Sequence, residues 1–78
     1  MNWINIKKRI PPERVIVDLW TDEGRLTDYI LNANYNGVKG NNFFTPQKGG
    51  PSCVRFNGSQ YFTQATHWMY PPKPPRDK

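Results

Sequence analysis

Apolar residues in this chain come in short alternating windows broken by proline, glycine and asparagine, a pattern that predicts strands joined by turns. Trp3 and Asn5 alternate with Ile4 and Ile6, which suits a short first strand, and Pro11-Pro12 ends any regular element there. Residues 15–21 are the clearest strand, β-branched and aromatic, with Asp22-Glu23-Gly24 as the turn that follows. Residues 25–34 read two ways. They suit a strand pairing back onto 15–21, and they also place Leu26, Tyr29, Ile30 and Ala33 at helical spacing. The short preceding turn favours the strand. Asn36-Gly37 and Asn57-Gly58 are both signals for a type I′ hairpin turn, whose two central residues need positive φ. Between them lie a short strand around Phe43-Phe44 and a loop over 46–51. Residues 53–56 and 60–63 flank the second Asn-Gly as a hairpin, and residues 65–69 close the folded part. The expected fold is therefore mainly β, or small α+β. It is a compact antiparallel sheet of five or six short strands with at most one short helix, over residues 1–70. A proline-rich extended tail follows at 71–78.

Length narrows this further. A chain of 78 residues with 36% hydrophobic content buries only about 60% of its unfolded surface, so the core is thin and a large buried active site is disfavoured. Cys53 is the one cysteine and His67 the one histidine, which excludes an internal disulfide and falls short of a Cys/His zinc site. No apolar run is long enough to span a membrane, and the first residues lack the apolar stretch of a secretory signal. The expectation is a cytoplasmic module with no metal and no cofactor. The net charge of +5 is unevenly spread: residues 15–30 are acidic, whereas the tract from Asn32 to Arg55 holds no carboxylate and is dense in Asn, Gly, Lys and aromatics. Such a tract suits anionic partners.

The candidate chemistry follows from that tract. Lys39, Lys48 and Arg55 are cations placed to meet phosphates or carboxylates, and Tyr35, Phe43, Phe44 and Tyr61 offer stacking or interface area. In a strand, one member of each pair, Phe43-Phe44 and Tyr61-Phe62, should face outward. His67, flanked by Thr66 and Trp68, is a hydrogen-bond donor to a phosphate, a general base, or a packing residue. Cys53 reads as a small buried hydrophobe rather than a nucleophile. The loops 37–42 and 46–52 are Gly-rich with a lysine, but neither has the phosphate-loop spacing.

Both ends of the chain carry a recognisable pattern. Trp3-Ile4-Asn5-Ile6, Arg9-Ile10-Pro11 and the strand at Val15-Ile16-Val17 resemble the opening of the domain-of-unknown-function family 551. Thr66-His67-Trp68-Met69, followed by Tyr70-Pro71-Pro72-Lys73-Pro74-Pro75, is similar to its ending, with Tyr70-Pro71 in place of the family's Pro-Leu. The middle, from about Asn32 to Pro51, has no counterpart. The resemblance implies a small accessory protein of phage or mobile-element type, of the sort that acts on host factors and defence systems. It transfers no catalytic or binding residue. Three functions are then open. The first is a non-enzymatic, counter-defence or host-modulating binding protein. It would be a homo-oligomer that captures an anionic small ligand such as a nucleotide signal, or a host protein, stoichiometrically. The second is a nucleic-acid-binding module using the same basic and aromatic residues. The third is a minimal enzyme pairing His67 with Asp18, Asp22, Glu23 or Asp28.

Overall fold

A computed structural model describes residues 2–56, 58 and 61–72. Six strands follow in chain order: β1 (Ile4–Asn5), β2 (Val17–Thr21), β3 (Gly24–Asn32), β4 (Phe43–Pro46), β5 (Val54–Arg55) and β6 (Thr63–Met69). The sheet order is β1-β6-β2-β3-β4-β5, and β5 also pairs with β6, so the meander from β2 to β5 is closed into a small barrel by β6. The mainly β fold expected from the alternation is the fold observed. Among the described residues the helical content is one 3-10 turn, Tyr35–Gly37.

Alternation explains β2 directly. Val17, Leu19 and Thr21 point inward, while Trp20 between them is 46% exposed. The core they join also contains Ile6, Tyr29, Leu31, Phe44, Val54, Ala65 and Trp68. Val15 and Ile16, expected in this strand, lie before it and are partly exposed, because the ladder to β3 starts at Val17.

Residues 25–32 are strand, while Ala33 and Asn34 lie beyond its end, and the helical spacing that competed with that reading has a physical origin. Val17 pairs with Tyr29 but Leu19 pairs with Leu26, so β3 carries one residue more than β2 over this interval. The surplus is absorbed at Asp28, which sits at φ 63. Leu26 and Tyr29 are three positions apart yet reach the same interior, a spacing that imitates a helix. The same device recurs in β6. Trp20 pairs with His67 but Thr21 pairs with Ala65, leaving Thr66 as the extra residue. Ala65 and Trp68 thereby both enter the core, and His67 turns outward beside Trp20.

Two expectations are corrected. The segments before and after the second Asn-Gly do not form a hairpin: β5 pairs with β6 in parallel, Val54 with Thr63 and Arg55 with Gln64. The outer edge of β4 is already claimed antiparallel by β5, through Phe44 and Val54, and only a parallel approach then lets β6 complete the barrel. Asn57, Ser59 and Gln60 of that turn lie outside the described residues, as does the tail beyond Pro72. Second, the first Asn-Gly does adopt positive φ at both residues, 58° at Asn36 and 73° at Gly37, with the Val38 amide donating to the Tyr35 carbonyl. That turn, however, is nested inside the longer β3–β4 connection rather than joining two strands directly.

Tyr29 locks the 46–51 loop to the core. Its ring is fully buried, and its hydroxyl donates to the Pro51 carbonyl at 2.9 Å. Gly50 lies so close that a Cβ there would stand 2.6 Å from the Tyr29 hydroxyl oxygen, and its φ of 117° is one that side chains resist. Tyr29→Phe should destabilise the fold by about 1–2 kcal/mol through the lost hydrogen bond. Gly50→Ala should cost about 2 kcal/mol or more, but measurably less in the Tyr29→Phe background, in which the clashing oxygen is gone. Urea denaturation of the four chains tests this; strict additivity would contradict it. Burial, followed by the Glu23 charge, raises the Tyr29 hydroxyl above its ordinary pKa. The unfolded chain therefore ionises first, and stability should fall as pH rises past about 10. Tyr29→Phe removes that component of the alkaline loss.

Candidate ligand site on the outer face of the sheet

Four strands contribute one outward row. Asn5 of β1 pairs with His67 of β6, His67 with Trp20 of β2, and Trp20 with Arg25 of β3. Trp3, two residues before Asn5 and so on the same face, lies edge-on to Trp20 with ring centroids 5.9 Å apart. The Arg25 guanidinium sits 5.7 Å from the centre of the Trp3 ring and also pairs with Asp18 at 2.6 Å. Asp18 is 2% exposed although it points away from the core, because Arg25 lies across it. The Asp18–Arg25–Trp3 chain of contacts thus fixes the orientation of the two indoles.

Two clefts meet at His67. One, of about 350 Å³, is walled by Trp3, Trp20 and His67 and is apolar. The other, of about 590 Å³, opens where β5 and β1 leave the same edge of β6. Ile6, Phe56 and Ala65 line its depth, and Asn5, Lys7, Gln64, Thr66 and His67 carry its polar side chains. Both volumes fall in the range that holds small ligands. The His67 Nδ1 lies 2.9 Å from the Thr66 hydroxyl, which leaves Nε2 as the ring nitrogen for a ligand. Lys7 is held here by the core. The buried Trp68 donates from Nε1 to the Arg9 carbonyl at 2.8 Å, and the amides of Lys8 and Arg9 both donate to the Asn5 carbonyl. Lys7, Lys8 and Arg9 form an exposed basic turn, of which Lys7 lines the larger cleft.

The residues proposed from the sequence divide into separate places. Tyr35, Phe43 and Arg55 do come together. Tyr35 packs edge-on to Phe43 at 5.1 Å, and Arg55 lies between the rings of Phe43 and Phe62 at 5.4 and 5.3 Å. Arg55 also donates to the Asn41 side chain, and its Nε is buried without a hydrogen-bond partner. Its guanidinium is thus held by neutral groups of the protein, the two rings and the Asn41 side chain. Phe44 is a correction: it is fully buried against Phe56 in the core and presents no face to a ligand, since the strand's alternation sends Phe43 outward instead. Tyr61 and Phe62 precede β6, so alternation does not sort them and both are exposed, by 80% and 43%. Lys39 and Lys48 are exposed in different loops. His67 belongs to the tryptophan row. The asparagines of the acid-free tract serve its own loop: the Asn34 amide donates to the Asn42 side-chain oxygen, and the Asn34 side chain accepts from the Gly40 amide.

Three of the four acidic partners considered for His67, all but Asp28, are engaged elsewhere. Asp18 holds Arg25, Asp22 accepts from the Gln64 amide, and Glu23 accepts from the Thr63 hydroxyl. Cys53 is half-buried. Sequence reasoning missed Trp3, Trp20 and Lys7 as site residues. The outward position of Trp20 between Leu19 and Thr21 was the available signal, whereas Lys7 joins the site only through the fold. Tyr70 packs edge-on against Trp68 at 5.2 Å, and Pro71, the first residue of the tail, is half-buried.

Arg25→Met should cost about 2 kcal/mol by stranding the buried Asp18 carboxylate, and adding Asp18→Asn should recover part of the loss. Thermal denaturation of the single and double variants measures the coupling; equal losses would show that the pair does not hold this face. No family model, curated protein or solved structure matches this chain.

Proposed function

We propose that this chain is a non-enzymatic binding protein that stoichiometrically captures an anionic ligand bearing a planar ring, of nucleotide type, at the two clefts joined by His67. The observation that carries this reading is the sharing of one histidine by an apolar tryptophan cleft and a cleft with a lysine at its mouth. A flat ring gains most from an exposed indole on a rigid strand, with base–aromatic contacts worth about 1–3 kcal/mol each. A phosphate on the same ligand reaches toward His67 Nε2 and the Lys7–Arg9 turn, where the field is positive. The likeness of the chain's two ends to a phage-borne family supports a setting inside a host cell, in which capture of a nucleotide signal would counter a defence response.

Titration with adenosine, adenosine monophosphate and adenosine triphosphate, followed by tryptophan fluorescence and calorimetry, tests the proposal. One ligand per site should bind and quench the emission. Trp20→Ala should weaken every adenosine compound by about tenfold or more. Lys7→Ala should weaken the phosphorylated compounds and leave adenosine unchanged, while Lys48→Ala should alter none. Failure of all three to bind at millimolar concentration sinks the proposal. Preference for a single-stranded oligonucleotide, with an affinity that falls steeply in salt, would favour the nucleic-acid module instead.

A further inference from the structure

A second surface lies apart from the His67 clefts. Tyr35, Phe43, Arg55 and Phe62 form a continuous stripe, each ring or guanidinium against the next, across the β3–β4 connection, β4, β5 and the segment before β6. At one end Tyr35 is 49% exposed and Val38, in the same turn, 56%; at the other, Phe62 is 43% and Tyr61 80% exposed. These four side chains present on the order of 400 Å² of apolar and aromatic surface, a patch size that on a small monomer marks an interface. The stripe is rigid as well: Arg55 is clamped between two rings, and the Tyr35 turn is tied down by backbone bonds from Tyr35 and Val38. Little conformational entropy is left to lose on docking.

The charges at its two ends identify the occupant. The Tyr35 end carries Lys39, one residue beyond Val38. The Phe62 end carries Glu23 and Asp22, whose carboxylates accept bonds from the Thr63 hydroxyl and the Gln64 amide. Glu13 and Arg14 stand near the base of the Tyr35 connection, through bonds to the Ala33 amide and the Leu31 carbonyl, and carry opposite charges. A largely aromatic stripe with Arg55 held between its rings, Lys39 at one end and the Asp22 and Glu23 carboxylates at the other complements itself at its ends under a two-fold axis. We infer that this stripe is the interface of a symmetric homodimer, in which Lys39 of each copy meets Asp22 and Glu23 of the other and the Tyr35, Val38, Tyr61 and Phe62 side chains fill the centre.

Sedimentation equilibrium over a concentration series tests the inference, with far-ultraviolet circular dichroism confirming that each variant is folded. The unaltered chain should dimerise, more weakly as salt is raised. Phe62→Asp combined with Tyr35→Asp should yield a monomer. Lys39→Glu should weaken the dimer by about tenfold, because two symmetric pairs turn from attractive to repulsive, and adding Asp22→Lys and Glu23→Lys should restore it. A monomer at every attainable concentration overturns the inference. So does a dimer that survives the Tyr35 and Phe62 changes, or a charge exchange that fails to restore association. Nucleotide binding at the Trp20 cleft is read independently, so either conclusion stands or falls without the other.

Discussion

Everything in this small barrel depends on the strand β6 being hydrogen-bonded on both edges. One edge takes β2, and the other is divided between β5 at its beginning and β1 toward its end. A chain with so thin a core gains little from a flat sheet with open edges, whereas closure buries both ends of the meander around one apolar centre. Trp68, fully buried, fills that centre and at the same time holds the Arg9 carbonyl. The division of one edge between two strands also leaves the gap in which the larger cleft opens. Closure and site thus come from one cause.

The bulge at Thr66 connects the interior to the outer face. Without the extra residue, Ala65 and Trp68 would fall on opposite sides of β6, and either the core would lose a side chain or His67 would turn inward. The bulge satisfies both demands, seating Ala65 and Trp68 inside and bringing His67 alongside Trp20. On the outer face the Asp18–Arg25 pair then does for the indoles what the asparagines do for the β3–β4 connection: polar groups that would otherwise move freely are fixed by partners of the same chain. The surfaces left over, the tryptophan row and the aromatic stripe through Arg55, are presented on a rigid support.

Much of the fold was legible along the chain because alternation survives wherever a strand has one buried face. β2 shows Val17, Leu19 and Thr21 inside with Trp20 out, and the turn after it is where Asp22-Glu23-Gly24 places it. The bulges were not legible. An extra residue in β3 produces the Leu26–Tyr29 interval of a helix, and its counterpart in β6 hides the relation of Ala65 to Trp68. Of the candidate site, only His67 was named from the sequence; the other residues named with it lie elsewhere. Tyr35, Phe43 and Arg55 belong together as their shared tract suggested, yet they stabilise one another, and Phe44 is consumed by the core.

Residue types and their local order were thus sufficient to determine a short-stranded, mainly β chain whose length limits it to a thin core. These follow from steric preference and burial, which act over a few neighbouring residues. Tertiary structure alone decided that β5 runs parallel to β6, that Trp3 lies over Trp20, and that Lys7 shares a cleft with His67 sixty positions away. Each of those contacts joins segments whose meeting depends on how the barrel closes. Closure is a property of the whole hydrogen-bonded ring, and no window of the chain contains it.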